Sequence, residues 1–140
     1  MKTLEWYSTL ETGSTNVDAE HKIFFNLINK LIHAITSGRD NDYLARLILE
    51  IQKYAEFHFI SEENLMIDLG CPDIDAHRKL HLRLLEKFNI TLNSLELDKE
   101  SYENFAQFLI DWFQSHTINE DKKIGAFLQE EDSSTTLECS

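Results

Sequence analysis

Apolar residues recur along this chain at a helical period, in four blocks parted by polar or turn-forming residues. Phe24, Leu27, Ile28, Leu31, Ile32 and Ile35 form one stripe, which begins near Asp18 and stops at Gly38. Before it, Gly13-Ser14-Thr15-Asn16 supplies the short oxygen-bearing side chains that cap a helix N-terminus. Asp40-Asn41 can cap a second helix carrying Leu44, Leu47, Ile48, Ile51, Ala55, His58, Glu62 and Leu65. Gly70-Cys71-Pro72 ends that helix, because glycine accepts a left-handed cap and proline cannot continue the hydrogen-bond ladder. Asp73 or Asp75 opens a third helix through His77, His81, Leu84, Leu85, Phe88 and Leu92. Polar residues from Asp98 to Ser101 precede a fourth, with Phe105, Phe108, Leu109, Trp112 and His116. Four helices of this length with short connections predict an all-α, up-down-up-down antiparallel four-helix bundle with an N-terminal arm. The expected divisions are an arm over 1–16, the bundle over 17–129 and a frayed polar tail over 130–140.

Composition narrows the classes of function. The 140 residues include only four Gly and one Pro, which favours one helical domain over a turn-rich β fold. A net charge of -12 opposes binding to nucleic acid or to an anionic membrane surface. Two cysteines, Cys71 and Cys139, do not make a disulfide scaffold. No basic segment precedes an apolar run, and no stretch reaches the roughly 18 apolar residues of a membrane span. The expectation is a soluble, reduced, cytoplasmic monomer.

Five of the six histidines have the spacing of metal ligands. They stand as His21, His58-x-x-x-Glu62, His77-x-x-x-His81 and His116-x-x-x-x-Asp121. Imidazole with carboxylate favours iron, zinc, manganese or copper over calcium or magnesium. Helical rise puts these groups at one level. His21 and His58 each lie about 25 Å from the turn near Gly38, and Glu62 and His77 lie within about 10 Å of the Gly70 turn. His81 and His116 lie about 20 Å from the third turn. His58 and Glu62 also continue the buried stripe, where an unpaired polar group would cost several kcal/mol. One pair does not fit an ideal helix, since positions 116 and 121 are about 140° apart. A π-type turn between His116 and Asp121 would bring them to one face. His33, about 120° from His21, is expected at the surface. The aromatics Phe24, Phe25, Phe59, Phe88, Phe105, Phe108, Trp112 and Phe113 read by default as core.

From about Trp6 to Leu128 the chain resembles the single-domain bacterial hemerythrins, or bacteriohemerythrins. The resemblance rests on Asp18-Ala19-Glu20-His21, on His58-Phe59-Ile60-Ser61-Glu62-Glu63 with Met66, and on Pro72 with His77 and His81. Trp112-Phe113-Gln114-Ser115-His116 with Asp121 completes it. It implies a non-haem centre of two iron ions that binds dioxygen reversibly, for storage, delivery or sensing, and no enzymatic activity. His77, His81 and His116 would hold one iron, and His21 and His58 the other, which keeps an open position. Glu62 and Asp121 would bridge the pair together with an oxo or hydroxo group. Phe24, Phe59, Trp112, Phe113 and Thr117 are the expected walls of the oxygen pocket. Phe113 stands where leucine is common and is expected to narrow the pocket. Thr117 replaces an aliphatic residue and brings a hydroxyl near the site, while Cys71, where tyrosine is frequent, is a neutral turn variant. Two other readings are a di-iron oxidase, peroxidase-like or nitric-oxide-handling enzyme, and a regulatory metal- or oxygen-sensing module. Oxygen-activating bundles use paired Glu-x-x-His motifs with further glutamates, which this chain lacks.

Overall fold

Three of the four α-helices begin where a side chain takes up an amide hydrogen that the first turn leaves without a partner. The computed structural model describes residues 3–7 and 10–118, with side chains as far as 115. Among the described residues the helices are α1 (Thr15–Thr36), α2 (Asn41–Leu69), α3 (Ile74–Asn93) and α4 (Lys99–Trp112), followed by a π-helical segment, Phe113–Ile118. Ser14 Oγ accepts from the Val17 amide at 3.3 Å, Asp40 Oδ1 from Tyr43 at 2.8 Å and Asp98 Oδ1 from Ser101 at 2.8 Å. Asp73 caps α3 by position only, without a side-chain hydrogen bond. Gly70 closes α2 at φ 70°, a left-handed conformation that glycine adopts without a Cβ penalty.

Bonds between helices show that neighbours run antiparallel. Glu20 on α1 faces His58 and Ser61 on α2, while the opposite ends of these helices meet at the Gly38 turn. His81 meets Glu63 near the Gly70 turn, and Asn89 meets Gln52 at 2.6 Å farther from it. Trp112 donates Nε1–H to the Leu84 carbonyl at 3.1 Å, and Phe88 meets Phe105 edge-on at 5.6 Å. Ile28, Leu31, Ile32, Ile48, Ile51, Phe88, Phe105 and Leu109 are fully buried between the helices. Each such side chain contributes about 1.5–3 kcal/mol relative to exposure. This apolar column holds the four helices together below the histidines.

Residues before α1 dock on it. The Leu4 amide donates to Asn29 Oδ1 at 2.6 Å, and Asn29 Nδ2 donates back to the Leu4 carbonyl at 2.9 Å. Trp6 packs edge-on against Phe25 at 5.3 Å, and Asp18 Oδ1 accepts from both the amide and hydroxyl of Thr12. Among the described residues no helix is long and apolar enough to cross a membrane.

Two expectations need correction. The π-type widening does occur, but it starts at Phe113 and encloses His116 rather than beginning there. Asp121 lies outside the described residues, as do the tail and Cys139. Cys71 is buried against Met66 and is disulfide-bonded, contrary to the reduced thiol expected from the sequence.

Candidate metal centre

Glu62 sits at the centre of the site, with its two oxygens facing different histidines. Oε2 lies 3.3 Å from His58 Nε2, while Oε1 lies 3.1 Å from His81 Nε2 and also contacts His77 Nε2. His21 completes the first side, its ring 5.0 Å from that of His58 and edge-on to it. The candidate ligands thus form two groups, His21 with His58 and Glu62, and Glu62 with His77 and His81. Within each group the ligand atoms lie within 4.8 Å of one another. Glu62 belongs to both groups.

All five side chains are buried, from 0% exposure for His21 to 8% for His77. Among the described residues no lysine or arginine pairs with the Glu62 carboxylate. A buried carboxylate costs several kcal/mol unless it is paired or coordinates a cation. Imidazole nitrogens converge on it from three sides, so the residues present fit divalent transition ions. The outer nitrogens of two ligands are held as well. His58 presents Nδ1 to Glu20 Oε1 at 3.1 Å, and His81 presents Nδ1 to Glu63 Oε2 at 2.8 Å.

Aromatic rings close the inner side. Phe113 is fully buried, stacks on Phe24 at 4.9 Å and meets His21 edge-on at 5.4 Å. Phe59 stacks on His81 at 4.1 Å, 11° from parallel, and packs on Trp112 at 5.8 Å. Phe25 joins this layer through Phe113 at 5.2 Å, a wall residue that the sequence left in the general core. Toward solvent, a polar cavity of about 400 Å³ between α1 and α2 reaches His58 and Glu62 past Glu20, Ser61 and Asp68. The Tyr54 hydroxyl donates to the Glu20 carbonyl at 3.0 Å. Burial, with Glu20 adding, pushes the Tyr54 phenol up to about 12.

The structure thus brings His21, His58, Glu62, His77 and His81 together, with Phe59 and Phe113 against their rings and Phe24 and Trp112 packed behind those two. The backbone of His116 and Thr117 lies in the π-helical segment, while their side chains and Asp121 fall outside the described residues. His33 is exposed, as its azimuth predicts. The contacts of Glu20 with His58 and of Glu63 with His81 go beyond the sequence expectations. The available signal was that each acidic residue adjoins a candidate ligand on its own helix.

Two imidazole-rich donor groups sharing one carboxylate inside four helices define a two-ion metal-binding bundle. Residues 12–128 match the hemerythrin HHE cation binding domain, and the chain belongs to that family. Similar proteins include the bacteriohemerythrin of Clostridium acetobutylicum, 26% identical over 84% of this chain and 95% of that protein. That of Methylococcus capsulatus is 28% identical over 91% of this chain and 98% of its own length. A myohemerythrin from Theromyzon tessulatum is 30% identical over 59% of this chain and 62% of its length.

Proposed function

We propose that this protein binds dioxygen reversibly at a non-haem di-iron centre. The observation that carries this reading is the placement of Glu62, with one oxygen toward His58 and the other toward His77 and His81. In this reading His21 and His58 would hold one ion, and His77, His81 and His116 the other, with Glu62 and Asp121 shared between them. The assignment of His116 and Asp121 rests on the family motif and on the π-helical backbone at His116.

Two ferrous ions held there would supply the electrons that a bound dioxygen withdraws and returns. The chain does the rest. Nε2 of His58, His77 and His81 faces Glu62 as a neutral donor, so carboxylates rather than imidazoles would offset the ionic charge. That charge balance favours the reduced pair over the higher oxidation states that oxidative catalysis requires. The layer of Phe24, Phe59, Trp112 and Phe113 keeps water from the inner face and limits proton leakage. This balance supports reversible oxygen binding, for storage, delivery or sensing, over an oxidase.

The test is to load the purified protein with ferrous iron without air, admit air, and then remove oxygen. A visible charge-transfer absorption should appear and vanish over repeated cycles, with two irons per chain. Irreversible bleaching, or turnover of an added reductant, would replace the carrier reading with a catalytic one.

A further inference from the structure

We propose that Glu20 and Glu63 are positioning residues for the two halves of the metal centre, and that their unequal neutralisation makes those halves electronically unequal. The inference rests on the di-iron reading above. Each carboxylate sits beside a ligand on its own helix and reaches a ligand on the next. Glu20 precedes His21 on α1 and holds His58 of α2 at Nδ1, 3.1 Å away. Glu63 follows Glu62 on α2 and holds His81 of α3 at Nδ1, 2.8 Å away. In both rings the proton is thereby kept on the outer nitrogen, and the Nε2 lone pair is left for a cation beside Glu62. A carboxylate in this position fixes the tautomer and ring orientation and makes the imidazole a stronger donor.

The two carboxylates differ in what else they meet. Glu63 Oε1 lies 3.5 Å from Arg78 Nε, which offsets part of its charge even though the arginine is 60% exposed. Glu20 Oε2 accepts from the Ser61 hydroxyl at 2.8 Å, a neutral partner, and no cation among the described residues pairs with it. The Tyr54 hydroxyl fixes the Glu20 backbone from α2. Glu20 therefore passes more of its negative charge to His58 than Glu63 passes to His81. The ion held by His21 and His58 should be the more easily oxidised of the two.

The test combines the wild type with Glu20→Ala, Glu20→Gln, Glu63→Ala, Glu63→Gln and Arg78→Gln. Imidazole ¹⁵N spectra of the metal-free proteins read the tautomers directly and require no iron. The expected result is an Nδ1–H ring at His58 and His81 in the wild type, lost at His58 in Glu20→Ala and at His81 in Glu63→Ala. Competition with a chelator should show 10–100-fold weaker iron binding in each alanine variant. Glutamine, which keeps an acceptor, should restore most of that affinity. In redox titrations Glu20→Gln should raise a midpoint potential more than Glu63→Gln does, and Arg78→Gln should lower one. Wild-type tautomers and affinity in both folded alanine variants would overturn the positioning roles, and equal shifts in the glutamine pair would overturn the inequality. A wild type that holds no iron would instead refute the di-iron reading, with the tautomer result standing apart.

Discussion

Phe113 stacks face to face on Phe24, with ring centroids 4.9 Å apart and planes 9° from parallel. The same ring makes a T-shaped contact with His21, the planes 83° apart, so one side chain both seals the core and borders a candidate ligand. Phe113→Leu removes these two ring contacts, and a third with Phe25, from a site with no exposure. Stability should fall by about 1–2 kcal/mol, from the lost aromatic pairing and the small void. Denaturant unfolding measures that loss. Stopped-flow measurement of oxygen release should show faster loss from the variant, and unchanged kinetics would remove Phe113 from the pocket wall.

Glu62 contributes to both donor groups, so its replacement should empty both at once. Glu62→Ala is expected to bring iron content from two per chain to near zero, measured by elemental analysis after gel filtration. Iron should also cease to stabilise the fold. In the wild type, free iron at 100 times its dissociation constant adds roughly 2.7 kcal/mol by mass action, and thermal melts with and without chelator should show that gain only when Glu62 is present.

Gly38 follows α1 at φ 75°, with nothing within 4 Å of the position a Cβ would take. Gly38→Ala therefore tests backbone strain without a steric clash. The expected cost is about 1 kcal/mol, since alanine pays for the left-handed conformation. Gly38→Asn should cost less, because asparagine visits that region more readily. Urea midpoints of the three proteins would rank them.

Tyr54 gives the fold a dependence on alkaline pH. Its phenol is pushed from 10.0 up to about 12, first by burial and then by Glu20. Folding thus favours the neutral hydroxyl, which donates to the Glu20 carbonyl. This contribution is complete below pH 10 and is lost as pH rises from there through about 12. The wild type should lose melting temperature over that window faster than Tyr54→Phe, and parallel melting curves would dismiss the linkage.

Much of the fold could be read from local chemistry. Ser14, Asp40 and Asp98 cap helices where short oxygen-bearing side chains precede apolar stripes, and Gly70 ends α2 where glycine precedes proline by two residues. The level of His21 with His58 follows from counting residues to a turn, because helical rise is nearly constant. The start of the π-helical segment did not follow. A five-residue spacing shows that one extra residue must be absorbed, but not where the widening starts, which in the structure is Phe113. The contacts of Glu20 and Glu63 are not legible in the sequence, because an acidic residue on a helix is usually solvated and only the distance to His58 or His81 reveals its partner. The disulfide at Cys71 left no trace in local spacing.

The two donor groups also differ in how much chain must be closed to build them. Glu62 and His77 are 15 residues apart across one tight connection, whereas Glu20 and His58 are 38 apart across a whole helical hairpin. Loop-closure entropy makes the shorter union easier by roughly 0.8 kcal/mol. A refolding chain should therefore bring Glu62, His77 and His81 together first, with the segment after α4 adding His116 to that berth. Docking of α1 then adds the second berth, so the order of assembly is written into sequence separation before any difference in affinity acts.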